Sequence, residues 1–174
     1  MKYPRQGPQV HKLFLLYALR ALHPLPLTFT QLERIAVGSD HMDYFSLKQA
    51  LSALLEDGLV RSQASLAGDA HLITDEGGSL LAQFQKEIPA SMRGWIDRFA
   101  RDNRESLVRS SHYIADYSKI AEGQYMVCCR AVEGGLHLME ININVATREQ
   151  AEIVCAKWVE HAPAVYAAIM EKLT

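Results

Sequence analysis

A chain of 174 residues has room for one large domain or two small ones. With 49% hydrophobic and 22% charged residues it is ordinary for a folded globular protein, which excludes extensive disorder. The formal net charge of −2 is shared evenly, residues 1–89 and 90–174 each summing to −1, so there is none of the overall basic excess usual in DNA-binding chains. The longest apolar run, around Leu13 to Leu19, is far short of the ~20 residues of a bilayer span. The first residues, Met1-Lys2-Tyr3-Pro4-Arg5, have no signal-peptide core, and a cytoplasmic protein is expected. Three cysteines argue against a disulfide framework. Cys128 and Cys129 are adjacent in a strand-like run and should face opposite ways, and Cys155 falls in a helical pattern. Without a Cys-x-x-Cys spacing the expectation is small buried hydrophobes plus one exposed thiol, with no metal and no cofactor.

Val10, Leu13, Phe14, Tyr17 and Ala21 recur at helical spacing, thickened by Leu15, Leu16, Leu19 and Leu22. This helix should lie deep, and Pro24 and Pro26 should end it. A second helical pattern covers Leu27 to Gly38. Thr28 and Gln31 form a capping box, with Leu27 and Leu32 as a hydrophobic staple. The third pattern runs from Asp43, a capping residue, to Gly58. Leu47, Leu51, Leu54 and Leu55 form its apolar face; Gln49, Ala53 and Glu56, flanked by Phe45, Ser46 and Ser52, form the opposite one. An alternating hairpin follows, Leu59 to Ser65 and Ala70 to Thr74, with Ala67-Gly68-Asp69 supplying the turn. A new helix starts at Thr74-Asp75-Glu76-Gly77.

Two short helices followed by a β-ribbon are the pattern of a winged helix, a device that places one helix in a DNA major groove. On that reading Gln49 pairs with adenine, Ser46 and Ser52 contact bases or phosphates, and Lys48 at the edge of the face meets a phosphate. Arg61, Ser62, Gln63 and His71 are the polar wing positions. The candidate DNA-binding residues are thus Ser46, Lys48, Gln49, Ser52, Arg61 and Gln63. A solvated polar face is the bland alternative, and Glu56 would face phosphates unfavourably.

Beyond Ile88-Pro89, Ser91 to Glu105 reads as a connecting helix anchored by Trp95, Ile96 and Phe99. Arg93–Asp97, Arg98–Asp102 and Arg101–Glu105 are spaced for i,i+4 ion pairs. The five arginines from Arg93 to Arg109 form the densest basic cluster, suited to a salt-laced solvent face or to flanking DNA. Three strands should follow, roughly Arg109 to Ser118, Gln124 to Val132 and Leu136 to Val145, the last two joined by a Gly134-Gly135 hairpin. In the third strand His137, Met139, Ile141, Ile143 and Val145 should face the core. Leu138, Glu140, Asn142 and Asn144 should face solvent or a ligand. A Thr147-x-x-Gln150 box opens the last helix, whose stripe is Ala151, Val154, Trp158, Ala162, Val165, Tyr166, Ile169 and Leu173. Pro163 should break or kink it.

Glu56-Asp57-Gly58-Leu59-Val60 followed by His71-Leu72-Ile73-Thr74-Asp75-Glu76-Gly77 resembles the helix–wing pattern of PadR-like and MarR-like regulators. From about residue 10 to 173 the chain is similar to an uncharacterised bacterial winged-helix family. That likeness rests on Tyr44-Phe45-Ser46-Leu47, Ile88-Pro89, Ala115-Asp116-Tyr117 and Cys155-Ala156-Lys157-Trp158. The resemblance implies DNA binding and supplies no ligand or catalytic residue.

The expected fold class is therefore α+β. An N-terminal winged helix-turn-helix domain (1–89) joins, through a helix, a three-stranded antiparallel β-meander packed with a kinked C-terminal helix (90–174), for dimerisation or sensing. The expected function is a homodimeric, sequence-specific regulator on double-stranded DNA, with no membrane partner and with room for an unidentified small-molecule effector. The alternatives are a winged helix used for protein contacts, or a small-molecule-binding protein using its second domain. No catalytic motif is present; His41 with Asp40 and Asp43, and His112 with Asp116, are explained as surface or capping residues, so an enzyme is not expected.

Overall fold

The computed structural model describes residues 7–65, 68–133 and 136–174. They divide into two compact units, one through Arg104 and one from Glu105 onward.

Unit 1 is built round α1 (Pro8–Ala21), where Phe14, Leu15, Leu16 and Ala18 are completely buried. A helix apolar on so much of its circumference must be covered on several sides, and α1 packs against α2 (Phe29–Gly38), α3 (Tyr44–Glu56), β3 (Gly68–Ile73) and α4 (Asp75–Phe84). The cap of α2 forms as the sequence implies. The Gln31 amide donates to Thr28 Oγ1 at 3.4 Å, the Thr28 amide donates to Gln31 Oε1 at 2.9 Å, and Leu27 and Leu32 are both fully buried. Asp43 caps α3 through the Ser46 amide at 2.8 Å. Ala50 joins Leu47, Leu51 and Leu54 on the buried face of α3, and Leu55 is half-buried.

The hairpin is part of a larger sheet. A two-residue strand β1 (Leu27–Thr28) pairs antiparallel with β3, giving the order β1-β3-β2 with β2 at Val60–Ser65. Gly68 and Asp69 belong to β3, not to the turn; Ala67 lies outside the described residues. As the central strand, β3 is buried at Ala70, His71, Leu72 and Ile73 alike, so alternation fails there. This corrects the reading of His71 as a polar wing position: it is 6% exposed, and its Nδ1 has no hydrogen-bond partner among the described residues.

Burial holds the His71 imidazole below its ordinary pKa of 6.5, against a weaker opposing pull from Asp69. The unfolded chain therefore binds more protons below about pH 6.5, so stability present above that pH is lost as pH falls through the lower folded-state value. His11, lowered by the same cause, adds to the trend. Thermal unfolding should show Tm falling between pH 7.5 and 5.5, with a shallower fall in His71→Leu. An equal slope in both proteins would contradict this.

Thr74 caps α4. A 3-10 turn (Gln85–Glu87) and buried Ile88 then lead into α5 (Ala90–His112). Its first part packs within unit 1: Trp95 Nε1 donates to the Ile35 carbonyl at 3.1 Å, the Tyr17 hydroxyl donates to Asp97 at 3.0 Å, and Met92 is fully buried. The division between units falls inside this helix, whereas the sequence pattern placed the junction at the Ile88-Pro89 break. α5 also runs on through residues expected to start a strand. Arg109 pairs with Glu105 at 2.8 Å one turn back, and the Ser110 and Ser111 hydroxyls donate to the carbonyls of Leu107 and Val108. None of the three expected i,i+4 pairs forms among the described residues. Arg93 donates to the Ile88 carbonyl, Arg101 contacts Asp102, and Asp97 and Glu105 are engaged by Tyr17 and Arg109.

Unit 2 holds the antiparallel sheet β4-β5-β6 (Tyr113–Ala121, Gln124–Glu133, Leu136–Val145) and α6 (Arg148–Leu173). The Gly134-Gly135 turn lies outside the described residues. Val127, Cys129 and Ala131 of β5 are buried with Ala151, Trp158 and Ala162 of α6. Tyr113, Ala115, Tyr117, Met139, Ile141 and Val145 surround them. Trp158 Nε1 donates to the Arg130 carbonyl at 3.1 Å. α6 covers β4 and β5 more than β6, so Ile143 on that edge strand is 37% exposed instead of buried.

Thr147 Oγ1 accepts the Gln150 amide at 3.1 Å, but Gln150 Oε1 accepts from Ala146, one residue short of the reciprocal capping bond. α6 is a single helix through exposed Pro163, so of the expected break or kink the break does not occur. The cysteines are all free. Cys129 faces α6 and is buried, its thiol pushed up to about 11 by burial; Cys128 and Cys155 are half-buried, so no thiol is fully exposed.

Candidate nucleic-acid interface

The outward side of α3 follows from its inward side. With Leu47, Ala50, Leu51 and Leu54 buried, 3.6-residue periodicity turns Phe45, Gln49, Ser52 and Glu56 to the opposite face, with Lys48 and Ser46 on its two flanks. Phe45, Lys48, Gln49, Ser52 and Glu56 are exposed and Ser46 is half-buried, its amide already committed to the Asp43 cap. The structure thus places Gln49 and Ser52 on one helix surface, with Lys48 at one edge and half-buried Ser46 at the other. The Ser52 hydroxyl donates to Glu56 at 3.3 Å, so the acidic residue has a local partner at the C-terminal end of the face.

Arg61 and Gln63 lie two apart on β2, hence on one side of the edge strand. Arg61 is exposed, Gln63 is half-buried, and the guanidinium donates to the Gln63 side-chain carbonyl at 3.4 Å. β2 follows α3 directly: the Leu59 amide donates to the Leu54 carbonyl at 3.0 Å, and Thr74 donates to the Gly58 and Leu59 carbonyls at 2.9 and 3.1 Å. These bonds tie the end of α3, the start of β2 and the start of α4 into one junction.

An aromatic ridge at the N-terminal turn of α3 was undervalued by sequence reasoning. Tyr44 packs edge-on against Phe29 with ring centroids 5.6 Å apart, and Phe45 packs edge-on against Tyr44 at 5.7 Å. Phe45 is 79% exposed, the highest value among the described large hydrophobic residues. The helical projection already held the signal, since Phe45 lies opposite Leu47 and Leu54.

The arginine cluster of α5 is largely occupied. Arg93 and Arg104 donate to the backbone carbonyls of Ile88 and Ala21, and Arg101 and Arg109 contact Asp102 and Glu105. On the sheet face away from α6, Arg130 pairs with Glu140 directly opposite at 3.5 Å and with Asp116 diagonally at 3.0 Å, while Asn142 donates to Glu140. The polar face expected to meet solvent or a ligand is thus internally paired around Arg130. Among the described residues no group of three or more His, Cys, Asp and Glu side chains is placed to hold a metal. Nor, among the same residues, is any helix long and apolar enough to cross a membrane.

These features define a mixed α+β chain with two three-stranded antiparallel sheets and a helix presenting a polar and aromatic outer face. The chain belongs to the family described as a domain of unknown function (DUF4364), whose model matches residues 11–173. No curated protein and no solved structure matches it.

Proposed function

We propose that this chain is a DNA-binding transcriptional regulator acting in the cytoplasm as a homodimer. Residues 27–77 serve as a winged helix of the kind seen in PadR-like and MarR-like regulators, α3 enters the major groove, and the β2–β3 ribbon is the wing. The observation that carries the reading is the outer face of α3, where Lys48, Gln49 and Ser52 are exposed in a row on a helix anchored by its opposite face. Gln49 is a bidentate partner for adenine, and Lys48 and Arg61 are phosphate contacts flanking it. Unit 2 supplies dimerisation or signal sensing, and a two-fold dimer reads half-sites one helical turn apart or a multiple of it.

Affinity for random-sequence duplex should fall steeply with salt. Each phosphate neutralised adds about 0.9 to the magnitude of the log–log slope, so four to six contacts per dimer correspond to a slope of about −4 to −5. Fluorescence anisotropy across a series of salt concentrations reads this directly. Absence of salt-sensitive binding even at low salt would sink the reading.

The net charge of −1 over residues 1–89 favours a second reading, a winged helix devoted to protein contacts. The same titration separates the two, because a protein-contact module leaves duplex unbound. A small-molecule site on the sheet of unit 2 has less to stand on, since Arg130, Asp116, Glu140 and Asn142 satisfy one another.

A further inference from the structure

The outer face of α3 has an apolar residue at its N-terminal turn that phosphate contacts leave unexplained. Phe45 lies on the midline of that face, directly above Gln49 one turn on. Isolated exposed hydrophobics are common on protein surfaces and need no explanation. This ring belongs to a cluster: Phe45 meets Tyr44 edge-on at 5.7 Å and Tyr44 meets Phe29 edge-on at 5.6 Å, so three aromatics lie together at the start of α3. A stiff aromatic offers contact area at low entropic cost. The N-terminal residues of a recognition helix are the ones that meet base edges.

We infer that Phe45 is a specificity-determining residue that packs against the C5-methyl groups of thymines in the major groove of duplex DNA. The inference rests on the DNA-binding reading above and deepens it. The major groove offers one apolar feature per A·T pair, the thymine methyl, and a phenyl ring is a chemically matched contact for it. Gln49 reads the same class of base pair through adenine N6 and N7. The two side chains are four residues apart, about 6 Å of helical rise, close to two base-pair steps at about 3.4 Å each. Together they call for a site with A·T pairs about two steps apart. Glu56 lies about 16 Å further along the helix than Phe45, at the C-terminal end and away from the N-terminal turn that meets base edges.

The test uses the full chain. Bound sequences are selected from a random duplex pool, and the selected duplex is then prepared with thymine or with uracil, which lacks only the methyl group. Wild type should select A·T-containing sites and bind the uracil duplex about fourfold more weakly per contacted methyl. Phe45→Ala should bind thymine and uracil duplexes equally, keep the wild-type salt slope and keep its Tm. Phe45→Leu, which retains an apolar contact, should keep part of the discrimination. Equal binding of both duplexes by wild type, or undiminished discrimination in Phe45→Ala, overturns the assignment and leaves the aromatic ridge to a protein partner. Loss of all salt-sensitive retention in wild type is a different result: it removes the DNA-binding reading itself, and this inference with it.

Discussion

Trp158→Ala should unfold unit 2 more readily than any other single truncation on α6, by about 3–5 kcal/mol, the range for deleting a buried large aromatic. The indole is 6% exposed and packs among Val127, Cys129, Ala131 and Ala162, so its removal leaves a cavity that small neighbours cannot fill. It also leaves the Arg130 carbonyl without its 3.1 Å donor. Trp158→Phe restores most of the apolar volume and omits the donor, so it should lose less, about 1–2 kcal/mol. Urea denaturation followed by far-UV circular dichroism measures both. A Trp158→Ala protein within 1 kcal/mol of wild type would mean that the sheet and α6 do not share one core.

The second large effect is at Gly77. A Cβ built there would lie 2.1 Å from the Leu59 carbonyl oxygen and 3.0 Å from an Ile73 side-chain carbon. The oxygen belongs to backbone that also accepts the Thr74 amide, so it cannot retreat without breaking the junction between the β2–β3 hairpin and α4. Gly77→Ala should therefore destabilise unit 1 by about 2–3 kcal/mol, in the upper range for overpacking. That corresponds to a Tm loss of roughly 10 °C or more for a unit of this size. Gly78 is the internal control: it is helical, nothing lies within 4 Å of its built Cβ, and Gly78→Ala should stabilise by about 0.5–1 kcal/mol. Equal responses of the two variants would refute the close approach.

The physical origin of these effects explains what the sequence disclosed. Helix starts were legible because capping is local: Thr28 with Gln31, Asp43, Thr74 and Thr147 all cap the helices they precede. The stripe on α6 was legible from Ala151 to Val165 because periodicity is local too. Beyond it Leu173 is 78% exposed, since burial depends on a neighbour that sequence spacing does not supply. The two-residue β1 is too short to show a period, yet it makes β3 a central strand and thereby buries His71. The extension of α5 through Ser110, Ser111 and His112 ran against weak helix propensity, with the two serine hydroxyls folded back onto the Leu107 and Val108 carbonyls. Of the six candidate DNA-contact residues, four lie on α3 and two on β2, a partition visible in the spacing. The prominence of Phe45 depends on its 79% exposure beside the Tyr44 ring, which helical spacing does not supply.

On the proposed function, the outer face of α3 and the adjoining strand contact duplex DNA. Lys48, Gln49 and Arg61 are all exposed, so replacing the three by alanine should leave Tm within about 2 °C of wild type. The measurement is the affinity of this triple variant and of wild type for one duplex at several salt concentrations. The expected result is at least a tenfold loss of affinity, with the log–log slope reduced in magnitude by about 0.9 for each phosphate contact removed, about two per protomer. A folded triple variant with wild-type affinity and wild-type salt slope would contradict it.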